Sequence, residues 1–432
     1  MTNPRTITQA QNLLGLSGWN YDVVVVGAGV AGSASAILLG RAGRRVLLLD
    51  RATFPRHKTC GEGIMPEGVA ILEELGVLPA VLEQGGFRAR GLRFRSRAGV
   101  WAQADFPPGA PSGLGHTAAH SVVVRRYELD HLLLEQAGAT PGVTVREGWA
   151  VTGAVERAGA IEGVIGHPVG RAAETETFRA PLTIGADGMR SLFHGRHGIR
   201  RTVRRRQRWG ISGHLRGVEE RRPYIEVLFG RDSEIYLAPL ADDLTLVAIL
   251  AEKQVMSTFR GDLAGRYHEF LKAAPGLGER IQDSKVVPPV GARGPLGFHV
   301  EPIVLPGLLL VGDSAGFLDP ITGEGMTLAL KSARAMVPLV ERAFERGDFG
   351  SGELGSPGVL GQYAAERADV VRDVGKLTQL MLDVTRVPWL ADRAIRRLSR
   401  DTELFQKFLG IAAGTRRYAD ISLRDRLALA LG

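Results

Sequence analysis

The chain of 432 residues is 44% hydrophobic and 23% charged, values typical of a globular protein with room for two domains and a helical extension. Its single cysteine excludes an intramolecular disulfide, and no run of about 20 apolar residues is present that would span a bilayer. The net charge of +8 comes mostly from arginine and is accompanied by no nucleic-acid-binding motif, so we expect no specific nucleic-acid partner. Residues 1–20 show no signal-peptide pattern, which predicts a cytoplasmic protein.

The first predicted element is a buried parallel strand that runs into a glycine-rich turn. Four consecutive valines, residues 23–26, are apolar on both faces of the strand. Gly27 permits the tight turn, Gly29 lets the backbone approach a pyrophosphate, and Gly32 lets the following helix pack close to the sheet. A dinucleotide site is therefore predicted at Gly27, Gly29, Val30, Ala31 and Gly32.

A second apolar strand, residues 45–49, ends at Asp50, where an acid would accept hydrogen bonds from ribose hydroxyls. Arg51 follows it and is included in the predicted cofactor site. The next segment contains Lys58, Cys60 and Gly61, which we also place at the cofactor. Two roles of Cys60 are left open: the side chain packs beside Gly61, or the thiol takes part directly in proton or redox chemistry. Lys58 is interpreted as a solvated or substrate-orienting charge.

The middle of the chain alternates between two kinds of pattern. A period-2 strand at residues 91–96 precedes a Pro/Gly-rich loop at 107–115, and a helix follows Arg126. Further elements are a strand at 143–146, a hairpin around Gly159, and a mostly antiparallel sheet whose clearest strands are residues 224–229, 234–238 and 244–250.

The arginine run at residues 196–208 has three open interpretations. It is a solvated surface strand, a patch that attracts NAD(P)H phosphates, or a contact with anionic lipid or nucleic acid.

Two other chemistries are set aside. His116 and His120 have metal-ligand spacing but no third ligand, so no metal site is predicted. Ser314 lies in a Gly-x-Ser-x-Gly sequence like the one that carries the nucleophile of hydrolases. A cofactor-binding motif explains this sequence better, so no serine nucleophile is predicted.

Two later motifs indicate FAD rather than NAD. A strand at residues 308–311 ends in Gly312-Asp313, and Asp187-Gly188 lies between this motif and the first turn. The set resembles the flavoprotein hydroxylases. The resemblance implies that Asp313 binds the ribityl chain, that Asp187 lies near the pyrophosphate, and that Arg126 opens a helix at the cofactor. Each acid alone is also compatible with a helix N-cap.

Two segments resemble the geranylgeranyl reductase branch of this superfamily. Residues 54–63 are similar to its lysine-x-cysteine-glycine signature, and residues 319–326 to its proline-containing loop beside the flavin. The resemblance places Pro320 on the flavin face and starts a helix at Gly325, whose N-terminus would stabilise the anionic reduced ring. The further cofactor-binding residues that it implies are Gly312, Gly323, Gly325 and Met326.

Departures from these patterns bear on the reaction. The flavin halogenases' tryptophan-x-tryptophan-x-isoleucine-proline motif is absent. The reductases' tyrosine-x-tryptophan-x-phenylalanine-proline motif is only partly matched in residues 234–239, where Pro239 agrees and Tyr236 replaces the tryptophan. Tyr236 is also compatible with a core-facing residue of the sheet.

The predicted fold class is α/β. It consists of a Rossmann-like FAD-binding domain with a parallel sheet and crossover helices, an antiparallel-sheet substrate domain and a C-terminal helical region. The boundaries are 21–80, 118–200 and 301–345 for the discontinuous FAD domain, 81–117 and 201–300 for the substrate domain, and 346–432 for the helical region.

The predicted function is that of an FAD-dependent oxidoreductase with non-covalent FAD and NAD(P)H as reductant. The favoured reaction, implied by the resemblance, is hydroxylation of a hydrophobic aromatic or polyketide-like molecule with molecular oxygen, through a flavin C4a-hydroperoxide. The main alternative is reduction of isoprenoid double bonds. Further alternatives are halogenation, flavin dehydrogenation and a non-enzymatic flavin-binding regulator. Peripheral membrane contact through residues 196–208 is the remaining partner hypothesis.

Overall fold

The computed structural model describes residues 19–109, 119–202, 207–350 and 358–431. Parts of the predicted Pro/Gly-rich loop, of the arginine run and of the linker at 347–358 lie outside these ranges, as does His116. The strands, in chain order, are β1 (Val23–Val26), β2 (Val46–Leu49), β3 (Gly63–Ile64), β4 (Phe87–Ala89), β5 (Gly91–Arg95), β6 (Trp101–Asp105), β7 (Ser121–Val123), β8 (Val143–Arg146), β9 (Trp149–Arg157), β10 (Ala160–Pro168), β11 (Glu176–Arg179), β12 (Leu182–Gly185), β13 (Arg200–Thr202), β14 (Arg208–Arg216), β15 (Tyr224–Phe229), β16 (Ser233–Pro239), β17 (Leu244–Glu252), β18 (Lys285–Leu296), β19 (Phe298–Val300), β20 (Val304–Leu305) and β21 (Leu308–Leu310). The helices are α1 (Val30–Arg41), α2 (Pro66–Glu74), α3 (Leu78–Glu83), α4 (Arg126–Ala139), α5 (Leu192–His197), α6 (Lys253–Met256), α7 (Leu263–Lys272), α8 (Gly325–Arg346), α9 (Tyr363–Thr385), α10 (Pro388–Arg400), α11 (Thr402–Ala412) and α12 (Leu423–Leu431).

A six-stranded sheet in the order β20-β21-β12-β1-β2-β8 forms the first layer. All of its pairings are parallel except that of β20 with β21. The valines of β1 are fully buried at its centre, as their all-apolar sequence predicted. Helices α4 and α8 both pack against α1, so the glycine-rich turn lies between the sheet and a helical layer.

A seven-stranded sheet in the order β18-β14-β17-β16-β15-β5-β6 forms the second layer. Its neighbours are antiparallel except β15 and β5, which pair in parallel. The strands predicted at residues 224–229, 234–238 and 244–250 are β15, β16 and β17. Because β5 and β6 precede α4 in the chain, this sheet is assembled from two separated stretches.

Three smaller sheets complete the described chain. The hairpin predicted around Gly159 forms the three-stranded sheet β11-β10-β9, and the others are β3-β7-β4 and β13-β19.

The C-terminal helices are part of the core rather than an appendage. Leu377 of α9, Ile395 of α10 and Phe405 of α11 are buried in one hydrophobic cluster with Val227 of β15. The helices therefore cover one face of the seven-stranded sheet, a placement that the helical periodicity alone did not predict.

Among residues 19–109, 119–202, 207–350 and 358–431, no helix is both long and apolar enough to cross a membrane.

The close packing of α1 can be tested at one glycine. A Cβ on Gly32 would lie 1.7 Å from the Gly27 carbonyl oxygen, so the substitution Gly32→Ala forces the helix away from the turn. We expect the free energy of unfolding to fall by about 3 kcal/mol or more, measured by chemical denaturation. Gly375→Ala in α9 is the matched control, because a Cβ there meets no atom within 4 Å. It should raise stability by about 1 kcal/mol, and equal effects at the two glycines would contradict this packing.

Candidate functional site

The glycine-rich turn forms an open cradle between two guanidinium groups. Gly27 has φ +100°, and a Cβ there would lie 2.5 Å from the Ala186 carbonyl oxygen, which fixes the turn against the Asp-Gly segment. Gly29 has more space around it than Gly27. The atoms nearest to a Cβ placed on Gly29 would be Nη2 of Arg56 at 3.7 Å and Nη2 of Arg126 at 3.8 Å. The N-terminal end of α1 adds to this positive field through the helix dipole. The arrangement fits a pyrophosphate.

A buried ion pair positions the Arg126 side chain. Arg126 donates from Nε and Nη2 to the two carboxylate oxygens of Asp130 at 2.7 and 2.6 Å, and Asp130 is fully buried. Arg56 reaches the same carboxylate at 2.9 Å. Burial acts to raise the pKa of Asp130, but Arg126, Arg56 and Lys58 lower it overall, so Asp130 stays charged. Sequence reasoning missed Asp130, although its i, i+4 spacing from Arg126 was a usable signal.

The loop that carries Cys60 is bound to the seven-stranded sheet. The Cys60 amide donates to Ser212 Oγ at 3.2 Å, and the thiol faces the Arg126 guanidinium. One carboxylate oxygen of Glu62 accepts from the Arg126 amide at 3.1 Å, while the other lies 2.9 Å from His214 Nε2. The loop therefore joins the cradle to the second layer.

Lys58 and Gly61 lie in the same loop. Lys58 is half-buried, and its interpretation as a solvated or substrate-orienting charge stays a prediction. Burial and Arg126 lower the pKa of Lys58, while Asp313 acts in the opposite direction. A Cβ on Gly61 would meet no atom within 4 Å, so space is open beside the loop.

The acid after β2 holds the turn. Asp50 accepts from the Ala28 amide at 2.7 Å and from the Ala52 amide at 2.8 Å. Its position at the end of β2, beside the glycine-rich turn, is the one that the sequence predicted. Arg51 is exposed, and its place in the cofactor site stays a prediction.

The two later acids have different contacts. Asp187 accepts from the Leu192 amide at 2.8 Å and from Ser314 Oγ at 3.1 Å, so its carboxylate ties the start of α5 to the Gly-Asp motif. Burial raises the pKa of Asp187 despite these bonds. Asp313 is half-buried, and its carboxylate accepts no hydrogen bond from the part of the chain that the structure describes.

Arg367 of α9 holds the Gly-Asp motif from the C-terminal side. Its Nη2 donates to the Gly316 carbonyl at 3.2 Å and lies 3.4 Å from the Gly312 carbonyl. Nothing in the local sequence around Arg367 indicated this contact.

The proline-containing loop is clamped onto the second layer. Pro320–Thr322 forms a single 3₁₀ turn, Gly323 has φ +69°, and α8 begins at Gly325 as predicted. Tyr236 of β16 donates its hydroxyl to the Ile321 carbonyl at 3.1 Å. Burial and Glu234 raise the pKa of Tyr236 well above its ordinary value, so this donor stays protonated.

Arg208, the last residue of the arginine run, is 1% exposed and forms ion pairs with Glu234 and Asp319. The interpretation of the whole run as a solvated surface strand is therefore wrong at this residue. Asp319 precedes the proline, so Arg208 ties the sheet to the loop.

Two further residues of this region are buried. Met326 in the first turn of α8 is 6% exposed and belongs to the core of the first layer. Glu324, immediately before α8, is 2% exposed, and neither of its carboxylate oxygens has a hydrogen-bond partner among the described residues. Burial raises the pKa of Glu324 well above its ordinary value, with Lys331 opposing and Glu67 adding to the shift. Glu324 is therefore a neutral acid next to the loop, which its sequence did not indicate.

An apolar cavity of about 120 Å³ lies against the loop. Residues 321–323 close one end, the seven-stranded sheet forms one wall, and helices α9–α12 form the other. The polar side chains in the lining are Tyr236, Thr322 and Thr385. The apolar lining is Met65, Leu92, Phe94, Ile225, Val227, Phe229, Ile321, Leu377, Leu380, Met381, Val384, Ala391, Ala394, Ile395, Leu398, Phe405, Phe408, Leu409, Ala412 and Leu429.

Known proteins share this architecture. The FAD binding domain family matches residues 20–239. The menaquinone reductase of Mycolicibacterium smegmatis is 32% identical over 341 residues, which are 74% of this chain and 76% of that protein. The 6-methylpretetramide 4-monooxygenase of Streptomyces rimosus is 26% identical over 412 residues, 95% of each chain. A solved flavoprotein/dehydrogenase from Cytophaga hutchinsonii superimposes with a TM-score of 0.75 at 19% identity, covering 91% of this chain and 92% of that one.

The fold and the cradle define a flavin-binding enzyme. The chain belongs to the FAD-dependent oxidoreductases that carry the FAD binding domain. This confirms the cofactor and enzyme class that the glycine motifs predicted.

Cofactor retention tests the position of Asp313. Asp313→Ala removes a charge-assisted acceptor that is free to take up a ribityl hydroxyl, and we expect FAD binding to weaken by about 1.5–3 kcal/mol, measured by titration of the apoprotein. Asp283→Ala, at an exposed carboxylate away from the cradle, is the control and should leave the affinity unchanged. Unchanged affinity in both variants would remove Asp313 from the site.

The buried Glu324 predicts a pH dependence of stability. Its folded pKa is raised, so its contribution is fully present below the unfolded value of about 4.3 and is lost as the pH rises toward the folded value. The stability of Glu324→Gln relative to the native protein should therefore increase as the pH rises above about 4.3, by up to 1.4 kcal/mol per pH unit. Denaturant unfolding at several pH values measures this. Exposed Glu345→Gln should show no such trend, and a flat difference for Glu324→Gln would show that the acid is ionised.

Proposed function

We propose that the protein is an NAD(P)H-dependent flavin monooxygenase that oxygenates an extended, apolar small molecule. The observation that carries this proposal is the apolar cavity that ends at residues 321–323. A lining with so few polar groups selects a substrate by shape and by burial of apolar surface, at roughly 25 cal/mol per Å². A polycyclic or polyketide-like molecule meets both requirements.

The proposed cofactor site uses the cradle described above. Arg56 and Arg126 would hold the pyrophosphate at the open space over Gly29, and Asp50 and Asp313 would accept from the ribose and ribityl hydroxyls. Asp130 keeps the two guanidinium groups in place. When bound, FAD supplies two-electron transfer from NAD(P)H and activation of molecular oxygen.

The chain's own contribution is shielding, orientation and charge stabilisation. The N-terminal amides of helix α8 would favour negative charge on a flavin ring bound at that end of the helix. Because Glu324 at the same end of α8 is neutral, it does not cancel that field. The sheet and α9–α12 line the cavity on two sides with apolar side chains, while the Tyr236 hydroxyl donates to the Ile321 carbonyl and fixes the loop against the sheet.

The monooxygenase of Streptomyces rimosus supports this choice, because its similarity extends over 95% of both chains.

Reduction of carbon–carbon double bonds in an isoprenoid chain is the second candidate. The menaquinone reductase of Mycolicibacterium smegmatis has the higher identity, and residues 54–63 carry the reductase-like signature. The lining also provides no evident base for activating a phenol, which suits an alkene substrate.

Oxygen separates the two reactions. Purified holoprotein is supplied with NAD(P)H and tested with a polycyclic aromatic polyketide and with geranylgeraniol, with and without labelled oxygen. We expect the polyketide to stimulate joint consumption of NAD(P)H and oxygen and to acquire the label. Saturation of geranylgeraniol without oxygen, and no labelled product, would contradict the proposal and favour the reductase.

A variant that fills the cavity controls for nonspecific oxidation. Leu380→Trp narrows the cavity and should abolish substrate stimulation while FAD stays bound. Val169→Trp adds the same ring at an exposed site and should leave turnover intact.

A further inference from the structure

Exposed apolar side chains are concentrated on two packed C-terminal helices. Four large apolar side chains are strongly exposed in the described ranges, and three of them are Trp389 (64%), Leu423 (64%) and Leu427 (47%). Trp389 lies at the start of α10, while Leu423 and Leu427 are one turn apart on α12, which packs against α10. Three such side chains on adjacent elements mark an interaction surface more strongly than scattered ones would.

Helix α10 has two faces of different character. Its inner face lines the apolar cavity with Ala391, Ala394, Ile395 and Leu398. Its outer face consists of the exposed residues Trp389, Arg393, Arg396 and Arg400, whose spacing of four, three and four residues follows one side of a helix. One helix thickness, about 10 Å, therefore separates this outer face from the cavity.

The outer surface is strongly positive. Arg386, Arg424 and Arg426 are exposed and extend the row of arginines. Two of the nearby carboxylates have partners within the chain, since Asp392 accepts from the Arg97 amide at 2.9 Å and Asp425 pairs with Lys407 at 3.0 Å. Exposed Trp and Leu beside several arginines match the chemistry of an anionic bilayer surface, where apolar side chains enter the interface and cations meet phosphates.

We propose that this surface, defined as Trp389, Arg393, Arg396, Arg400, Leu423 and Leu427 and called the α10–α12 face, docks onto anionic lipid bilayers. Docking there differs from the membrane contact predicted for residues 196–208. It would hold the cavity next to the phase in which an apolar substrate dissolves. That last consequence rests on the proposed function, whereas docking itself does not.

Vesicle sedimentation of the full-length holoprotein tests the docking. We expect binding to phosphatidylcholine vesicles that contain phosphatidylglycerol and little binding to phosphatidylcholine alone. Arg396→Glu/Arg400→Glu should weaken binding at least about tenfold, since each arginine contributes roughly fivefold. Arg260→Glu/Arg346→Glu, at exposed arginines on other elements, changes the net charge equally and should have little effect.

Tryptophan fluorescence tests the apolar part of the face. The chain contains five tryptophans, and brominated anionic lipid should quench one component of the emission that Trp389→Phe removes. Leu423→Ser/Leu427→Ser should weaken vesicle binding, whereas Val169→Ser, at an exposed apolar side chain elsewhere, should not.

Three results would overturn the proposal. They are no binding to anionic vesicles at low salt, equal losses in the face and control variants, and a dimer that Trp389→Ser dissociates. The last result would assign the face to a second copy of the chain. Turnover on detergent-dispersed substrate is measured in parallel, so a failed oxygenation assay and a failed docking assay remain distinguishable.

Discussion

The buried carboxylate of Asp130 is the charge on which the site depends. Two arginines from different segments, Arg126 and Arg56, are held by it, and both reach the open space over Gly29. Burying such a group costs several kcal/mol unless its partners are well placed. Since two guanidinium groups meet one carboxylate, the cluster keeps a positive excess beside the turn. That excess is what an anionic pyrophosphate would neutralise, so the ion pair and the cofactor would stabilise the same geometry.

The same cluster couples the two layers of the molecule. Glu62 connects the Arg126 amide to His214 of the seven-stranded sheet, and Arg208 of that sheet pairs with Asp319 in the proline-containing loop. The cofactor cradle and the loop that closes the cavity are thus attached to one sheet at two points. This explains how a cofactor site and a substrate cavity built from distant segments keep a fixed relation.

Sequence patterns predicted the parts that depend on local constraints. The valine strand, the glycine spacing and the start of α8 follow from burial on both faces, close backbone approach and helix initiation, all of which are visible locally. The residues that were missed depend on tertiary position. Arg208 lies in an arginine run that resembles a surface, yet the side chain is buried and its carboxylate partners are 26 and 111 residues away along the chain. Arg367 and the cavity lining likewise come from helices whose packing no periodicity specifies.

The central claim is that the cradle over Gly29 binds the pyrophosphate of FAD. Calorimetric titration of the apoprotein with FAD and with riboflavin, which lacks the pyrophosphate and adenosine, tests it most directly. Two charge-assisted contacts of about 1.5 kcal/mol each predict that FAD binds at least about a hundredfold more tightly. The preference should shrink in Arg126→Gln. Equal affinity for the two flavins would show that the ring alone is recognised and would contradict the account.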